Sequence, residues 1–160
     1  MRRFLISALA IALAACSPNS GEAGAQSTQS SPSVHPVSGL PVIPLKVIHA
    51  GKTFAFRAEL ARTPQEQAKG LMFRTELGPD EGMIFPFDPV RGASFWMRNT
   101  VIPLDLIFVG VDGRISNIEA NAIPYDESPL NSVGLAKAVL EIPGGRAAEL
   151  GIVAGDRVEW

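Results

Sequence analysis

The sequence predicts a mainly β domain, a single β-sandwich or partly closed barrel, carrying one or two short helices. Three observations point there. Residues Phe54, Phe56, Ala58 and Leu60 alternate with Thr53, Arg57 and Glu59, the period-two pattern of a half-buried strand. An apolar run, Leu104–Val111, stops at Asp112-Gly113 and resumes at Ile115; Asp-Gly between strand-like runs is a strong hairpin signal. The rest is punctuated at short intervals by Gly, Pro and Asp, as in a domain of many short strands.

In chain order, "LKVIHAGKTFAFRAELA" reads as two extended runs meeting at Ala50-Gly51. Thr63-Pro64-Gln65-Glu66 is a capping box with proline at the first helical position, and Gly70 supplies the stop. "GMIFPF" (82–87) is a further strand. The run Leu106-Ile107-Phe108-Val109 lacks polar alternation, which predicts a strand covered on both faces. "AVLEIP" (138–143) and "DRVEW" (156–160) are short strands, separated by a helical turn or two over 145–150 that Gly151 ends.

The N-terminus has a different composition. Arg2 and Arg3 precede an apolar run, Phe4–Ala15, and then Cys16, the layout of a secretory signal too short to persist as a spanning helix. Leu13-Ala14-Ala15-Cys16 resembles the bacterial lipobox, in which the cysteine is lipidated and becomes the mature N-terminus. Cys16 is the one cysteine of the chain, so an internal disulfide is excluded and lipidation would consume the thiol. Ser17 stands where lipoproteins kept at the inner membrane carry aspartate, which favours the outer membrane, facing the periplasm. Residues 17–41 hold seven Ser, four Pro, three Gly and one charge, Glu22. That composition predicts a flexible linker, with His35 a solvated residue inside it. The expected organisation is 1–15 signal peptide, 16–41 lipidated N-terminus and linker, and 42–160 the β domain.

Losing Arg2 and Arg3 from the 14 basic residues leaves 12 against 16 acidic, a net charge of −4. No Lys/Arg-rich run interrupts this balance, so nucleic-acid binding lacks its electrostatic footprint.

Four blocks then resemble, in order, one known family: "GLMFR" (70–74), "GMIFPF" (82–87), "SFWMRNTVIPLDLIFV" (94–109) and "VLEIPGG…GIVAGDRV" (139–158). The resemblance is to the domain of unknown function 192, and it covers essentially the whole β domain. Arg98 stands where lysine is common, and Val101 where a larger side chain is frequent. The resemblance implies a mainly β sandwich and implies no activity.

The block at 94–105 is also where chemistry could reside. Read as a strand, Ser94–Asn99 places Phe95, Met97 and Asn99 on one face and Ser94, Trp96 and Arg98 on the other. Pro103 breaks the pairing. Asp105 then shares a face with Ile107 and Val109, where a carboxylate requires partners. Two accounts stand open. Asp105 accepts hydrogen bonds from Asn99-Thr100, or pairs with Arg74 or Arg98, and pins a loop. Alternatively Arg74, Trp96, Arg98, Asn99, Thr100 and Asp105 line a ligand mouth, with the indole as a stacking surface.

The function class that follows is a membrane-tethered periplasmic binding or accessory module for a small molecule, glycan or protein partner, with no catalytic residues and no cofactor assigned. One alternative is a hydrolase using Asp105 and Glu141 as a carboxylate pair. Another is soft-metal (copper) binding through the thioethers of Met72, Met83 and Met97. His35 and His49 alone offer imidazoles, without companions at metal-ligand spacing.

Overall fold

The computed structural model describes residues 33–160. The signal segment, Cys16 and most of the linker lie outside them. In chain order the elements are β1 (Ser33–Val34), β2 (Pro41–His49), β3 (Lys52–Leu60), α1 (Pro64–Lys69), β4 (Glu81–Arg91) and β5 (Ser94–Phe95). These are followed by β6 (Leu104–Gly110), β7 (Ile115–Ala122), β8 (Leu130–Asn131), β9 (Ala136–Pro143), α2 (Arg146–Leu150) and β10 (Arg157–Glu159). Eight strands form one mixed sheet in the order β1-β2-β3-β4-β9-β6-β7, with β10 paired to β2; β5 and β8 form a separate two-stranded ribbon. The large sheet is not closed into a barrel.

Local chemistry accounts for most of these elements. Ala50 and Gly51 both take positive φ, 46° and 79°, the geometry that turns β2 tightly into β3. Thr63 Oγ1 accepts from the Glu66 amide while Glu66 reaches back to the Thr63 amide at 2.8 Å, so the capping box forms as its spacing predicts. Helix α1 lies in the connection between β3 and β4, the one parallel pair among the described strands, because parallel neighbours require a crossover. Gly113, at φ 81°, turns β6 into β7.

Alternation across the central strands builds two cores. Leu45, Val47, Phe56, Ala58, Ile84, Ile107, Val109, Leu140, Ile142 and Val158 pack on one face, joined by Ala147 of α2. Met83, Phe85, Leu104, Leu106, Phe108 and Val139 pack on the other, with Leu71 and Met97 from the loops. Residues 104–109 are all buried, as the apolar run Leu106–Val109 predicts for a strand covered on both faces.

Two expectations are corrected. Only Ser94 and Phe95 of the 94–99 segment are strand, paired to Asn131 and Leu130. Beyond them the backbone turns, with the Thr100 amide donating to Met97 O at 3.0 Å and Asn99 at φ 55°. The faces nevertheless divide as the pattern suggests at four positions: Phe95 and Met97 point inward, and Trp96 and Arg98 are exposed. Residues 33–41, assigned to the linker by composition, also make defined structure. Ser33 and Val34 pair with Val42 and Pro41. His35 is not a solvated linker residue: its Nε2 lies 3.7 Å from Glu59 Oε1, beside Arg74. Backbone pairing and a buried carboxylate hold this stretch down in spite of its polar composition.

Candidate functional site

A pocket of about 570 Å³ opens on the second core face, between α1 with its following turn and the loop from β4 into β5. Phe85, Phe95 and Trp96 supply aromatic wall, Leu71 and Met72 aliphatic wall, and Gln67, Ser94 and Thr100 neutral polar groups. Phe95 is set by edge-to-face contacts with Phe85 (centroids 5.1 Å apart) and Phe108 (6.3 Å). Trp96 is 48% exposed, and its ring carries the Arg98 guanidinium at 4.6 Å. Arg98 is in turn paired to Glu127 at 2.8 Å.

Glu141 is the unusual member of the lining. It sits on β9 opposite Met83 of β4 and Leu106 of β6, and it is only 5% exposed. Its neighbours in register are apolar, and burial alone pushes its pKa up to about 8. A buried carboxyl in a pocket lining, with no side-chain partner among the described residues, is a group available to something that enters.

Asp105 is the opposite case. It is fully buried, yet Oδ1 accepts the amides of Asn121 and Gly145 at 2.8 and 2.9 Å, and Oδ2 accepts the Ala147 amide at 2.8 Å. The staple exists, but its partners are not Asn99 and Thr100 or an arginine. It joins β6 to the end of β7 and to the start of α2, whose Gly145 at φ 83° has no side chain with which to cap. Gly144 is required there, since a Cβ would fall 2.6 Å from Asn121 Oδ1 and 2.8 Å from Pro103.

The carboxylate pair behind the hydrolase alternative does not form. Asp105 pairs with Ile142 and Leu106 with Glu141 in the β6–β9 register, so the two acids project from opposite faces. Nor do the methionines converge as exposed thioethers. Met83 and Met97 are 1% exposed core residues, and Met72 Sδ accepts from Asn99 Nδ2 at 3.8 Å.

Of the predicted mouth, the structure brings Trp96 and Thr100 to the pocket, with Arg98 stacked outside on the indole. Arg74 lies elsewhere: it is buried against Glu59, donating from Nη1 to Oε1 at 3.1 Å and from Nη2 to the same oxygen. Glu59 Oε2 has no partner among the described residues. Asn99 is a backbone residue first. Its left-handed φ accompanies those of Phe73 (62°) and Tyr125 (64°). Phe73 N donates to Asn99 O at 2.8 Å, and Tyr125 N donates to Thr100 O at 3.1 Å. Asparagine tolerates this conformation better than most side chains, so Asn99→Ala is expected to lower stability by about 1 kcal/mol and Asn99→Gly to change it little. Urea unfolding of the three proteins checks this, and equal midpoints for the alanine variant and the parent would contradict it.

Sequence reasoning passed over Gln67, Lys69, Arg91 and Ser94, which join the lining only through the fold. One legible signal was the break in α1 at Gly70, followed at once by Leu71-Met72, which marks a turn bearing apolar groups.

The fold and pocket define a mainly β domain with a half-apolar cavity on one sheet face. Residues 46–160, more than half of the chain, match the family DUF192, described as uncharacterized ACR. The chain belongs to this family. A crystal structure of a protein of unknown function from Novosphingobium aromaticivorans superposes with a TM-score of 0.80 at 63% identity, covering 82% of this chain and 94% of that one. A protein of Sinorhizobium meliloti, described as a proposed transcription regulator, superposes with a TM-score of 0.73 at 38% identity, covering 75% and 94%. No curated protein matches.

Proposed function

We propose that this chain is a non-catalytic binding module, tethered to the outer membrane through Cys16 and facing the periplasm, whose pocket takes a small molecule. The observation that carries the reading is Glu141, buried in the same lining as Trp96, Phe95 and Thr100 and without a salt bridge among the described residues. Aromatic wall with a few convergent polar groups is the usual composition of a small-molecule site. The tether rests on the Leu13–Cys16 motif and on the Ser/Pro/Gly composition that follows it. A regulatory role in transcription, as described for the Sinorhizobium relative, gains no support from an expected mature charge of −4.

A thermal-shift screen of small polar cyclic compounds against the full chain tests the reading. A compound that raises the melting temperature is expected to bind Trp96→Ala about tenfold more weakly, through lost stacking area, and to lose comparable affinity with Glu141→Leu, which cannot hydrogen-bond. Binders indifferent to both substitutions would place the site elsewhere and overturn the proposal.

A further inference from the structure

Three charged side chains line the pocket among the described residues, and they differ in kind. Glu141 is at the buried end, among apolar neighbours. Lys69, the last residue of α1, and Arg91, the last of β4, are exposed at the margin. Neither cation has an acidic partner among the described residues; Arg91 lies 4.2 Å over the Phe87 ring, which leaves its guanidinium edge free. The same lining holds the indole of Trp96 and the polar groups of Gln67, Ser94 and Thr100.

We infer that the ligand of this pocket is an acidic sugar: a ring whose anionic group meets Lys69 and Arg91 while an uncharged hydroxyl edge hydrogen-bonds to the buried Glu141 carboxyl. This rests on the pocket reading proposed above and names its ligand class. Each part follows from the chemistry of the lining. Two unpaired cations at the margin favour a negative group and disfavour an amine. A ring with apolar C–H faces and hydroxyl edges matches an aromatic wall interleaved with amide and hydroxyl groups. A neutral carboxyl buried among Met83, Leu106 and Val139 can donate one hydrogen bond without bringing a charge into the core.

The inference also fixes the sense of a pH dependence. The charged groups that share the pocket lining with Glu141 are Lys69 on α1 and Arg91 on β4, and its partner in register on β6, Leu106, is apolar. When Glu141 ionises, the donor is lost and a negative charge is added, so affinity for an anion falls with rising pH. A ligand held as a cation would show the reverse slope.

The test uses four related pyranoses as probes: glucuronate, glucose 6-phosphate, glucose and glucosamine. Each is titrated into the full chain, and binding is read from the indole N–H resonance of Trp96, which is distinguishable from that of Trp160. Glucuronate, glucose 6-phosphate or both are expected to bind at least tenfold more tightly than glucose, with glucosamine the weakest. The better of the two anions separates a carboxylate from a phosphate ligand. In the Lys69→Gln, Arg91→Gln double variant the preference over glucose should fall below threefold, and in Glu141→Gln the decline in affinity above pH 8 should vanish. Glucose or glucosamine binding as tightly as the anions would overturn the acidic-sugar assignment and leave the pocket reading in place. So would silence from all four probes while other compounds in the thermal screen bind through Trp96. If neither the probes nor the screen perturbs Trp96, both readings fall.

Discussion

Asp105→Asn is expected to destabilise the protein by about 3–5 kcal/mol, lowering the melting temperature by roughly 15 °C or more. The carboxylate accepts three backbone amides, from Asn121, Gly145 and Ala147, and hydrogen bonds to a charged group are each stronger than neutral ones. Asparagine has one oxygen to offer in place of two, and its NH₂ group would face an N–H donor. At least one amide would therefore stay buried without an acceptor, and the start of α2 would lose its cap. The two glycines beside it leave little latitude, since Gly144 already packs against Pro103 and Asn121. Thermal or urea unfolding measures the effect. A loss of less than about 1 kcal/mol would mean that the corner is held by something other than this carboxylate.

Glu141→Gln is expected to act in the opposite direction and only at higher pH. The folded-state pKa of Glu141 lies near 8, raised by burial from an ordinary 4.5. Between these values the folded protein keeps a proton that the unfolded chain has released. Stability is therefore full below about pH 4.5 and declines as pH rises toward 8, by up to about 5 kcal/mol across the window. Glutamine has the shape of the protonated acid and does not titrate. The variant should match the parent at pH 4.5 and exceed it by several kcal/mol at pH 8.5. The difference between the two proteins isolates Glu141 from every other titrating group, so parallel pH profiles would refute the assignment of a buried, unpaired carboxyl. The same residue then links stability to binding: a ligand that accepts its proton in a hydrogen bond is expected to stabilise the folded chain most where that proton is still held.

These two acids show how far the sequence could be read. Both stood out as carboxylates in apolar strands, and as candidates for a pair. One residue of register separates their fates. Ile142 faces Asp105 across β6 and β9, and Glu141 faces Leu106, so one side chain enters the first core and the other lines the pocket. Strand pairing between segments more than thirty residues apart is not encoded in either segment alone. Arg74 is similar. Its motif placed it near the site, but its guanidinium is taken by Glu59 from the neighbouring β3 strand, an acid that period-two alternation had assigned to the exposed face.

The chain by itself determined what depends on near neighbours. The capping box of α1, the tight turns at Ala50-Gly51 and Asp112-Gly113, the doubly covered strand at 104–109 and the family pattern are all legible, because each rests on backbone geometry or on burial within a few residues. The tertiary structure alone decided what depends on distant ones: where β10 returns to β2, which amides Asp105 receives, why residues 33–41 are held down, and that Lys69, Arg91 and Glu141 share a pocket. Such contacts arise from pairing register and chain crossover, which a local sequence pattern constrains but does not specify.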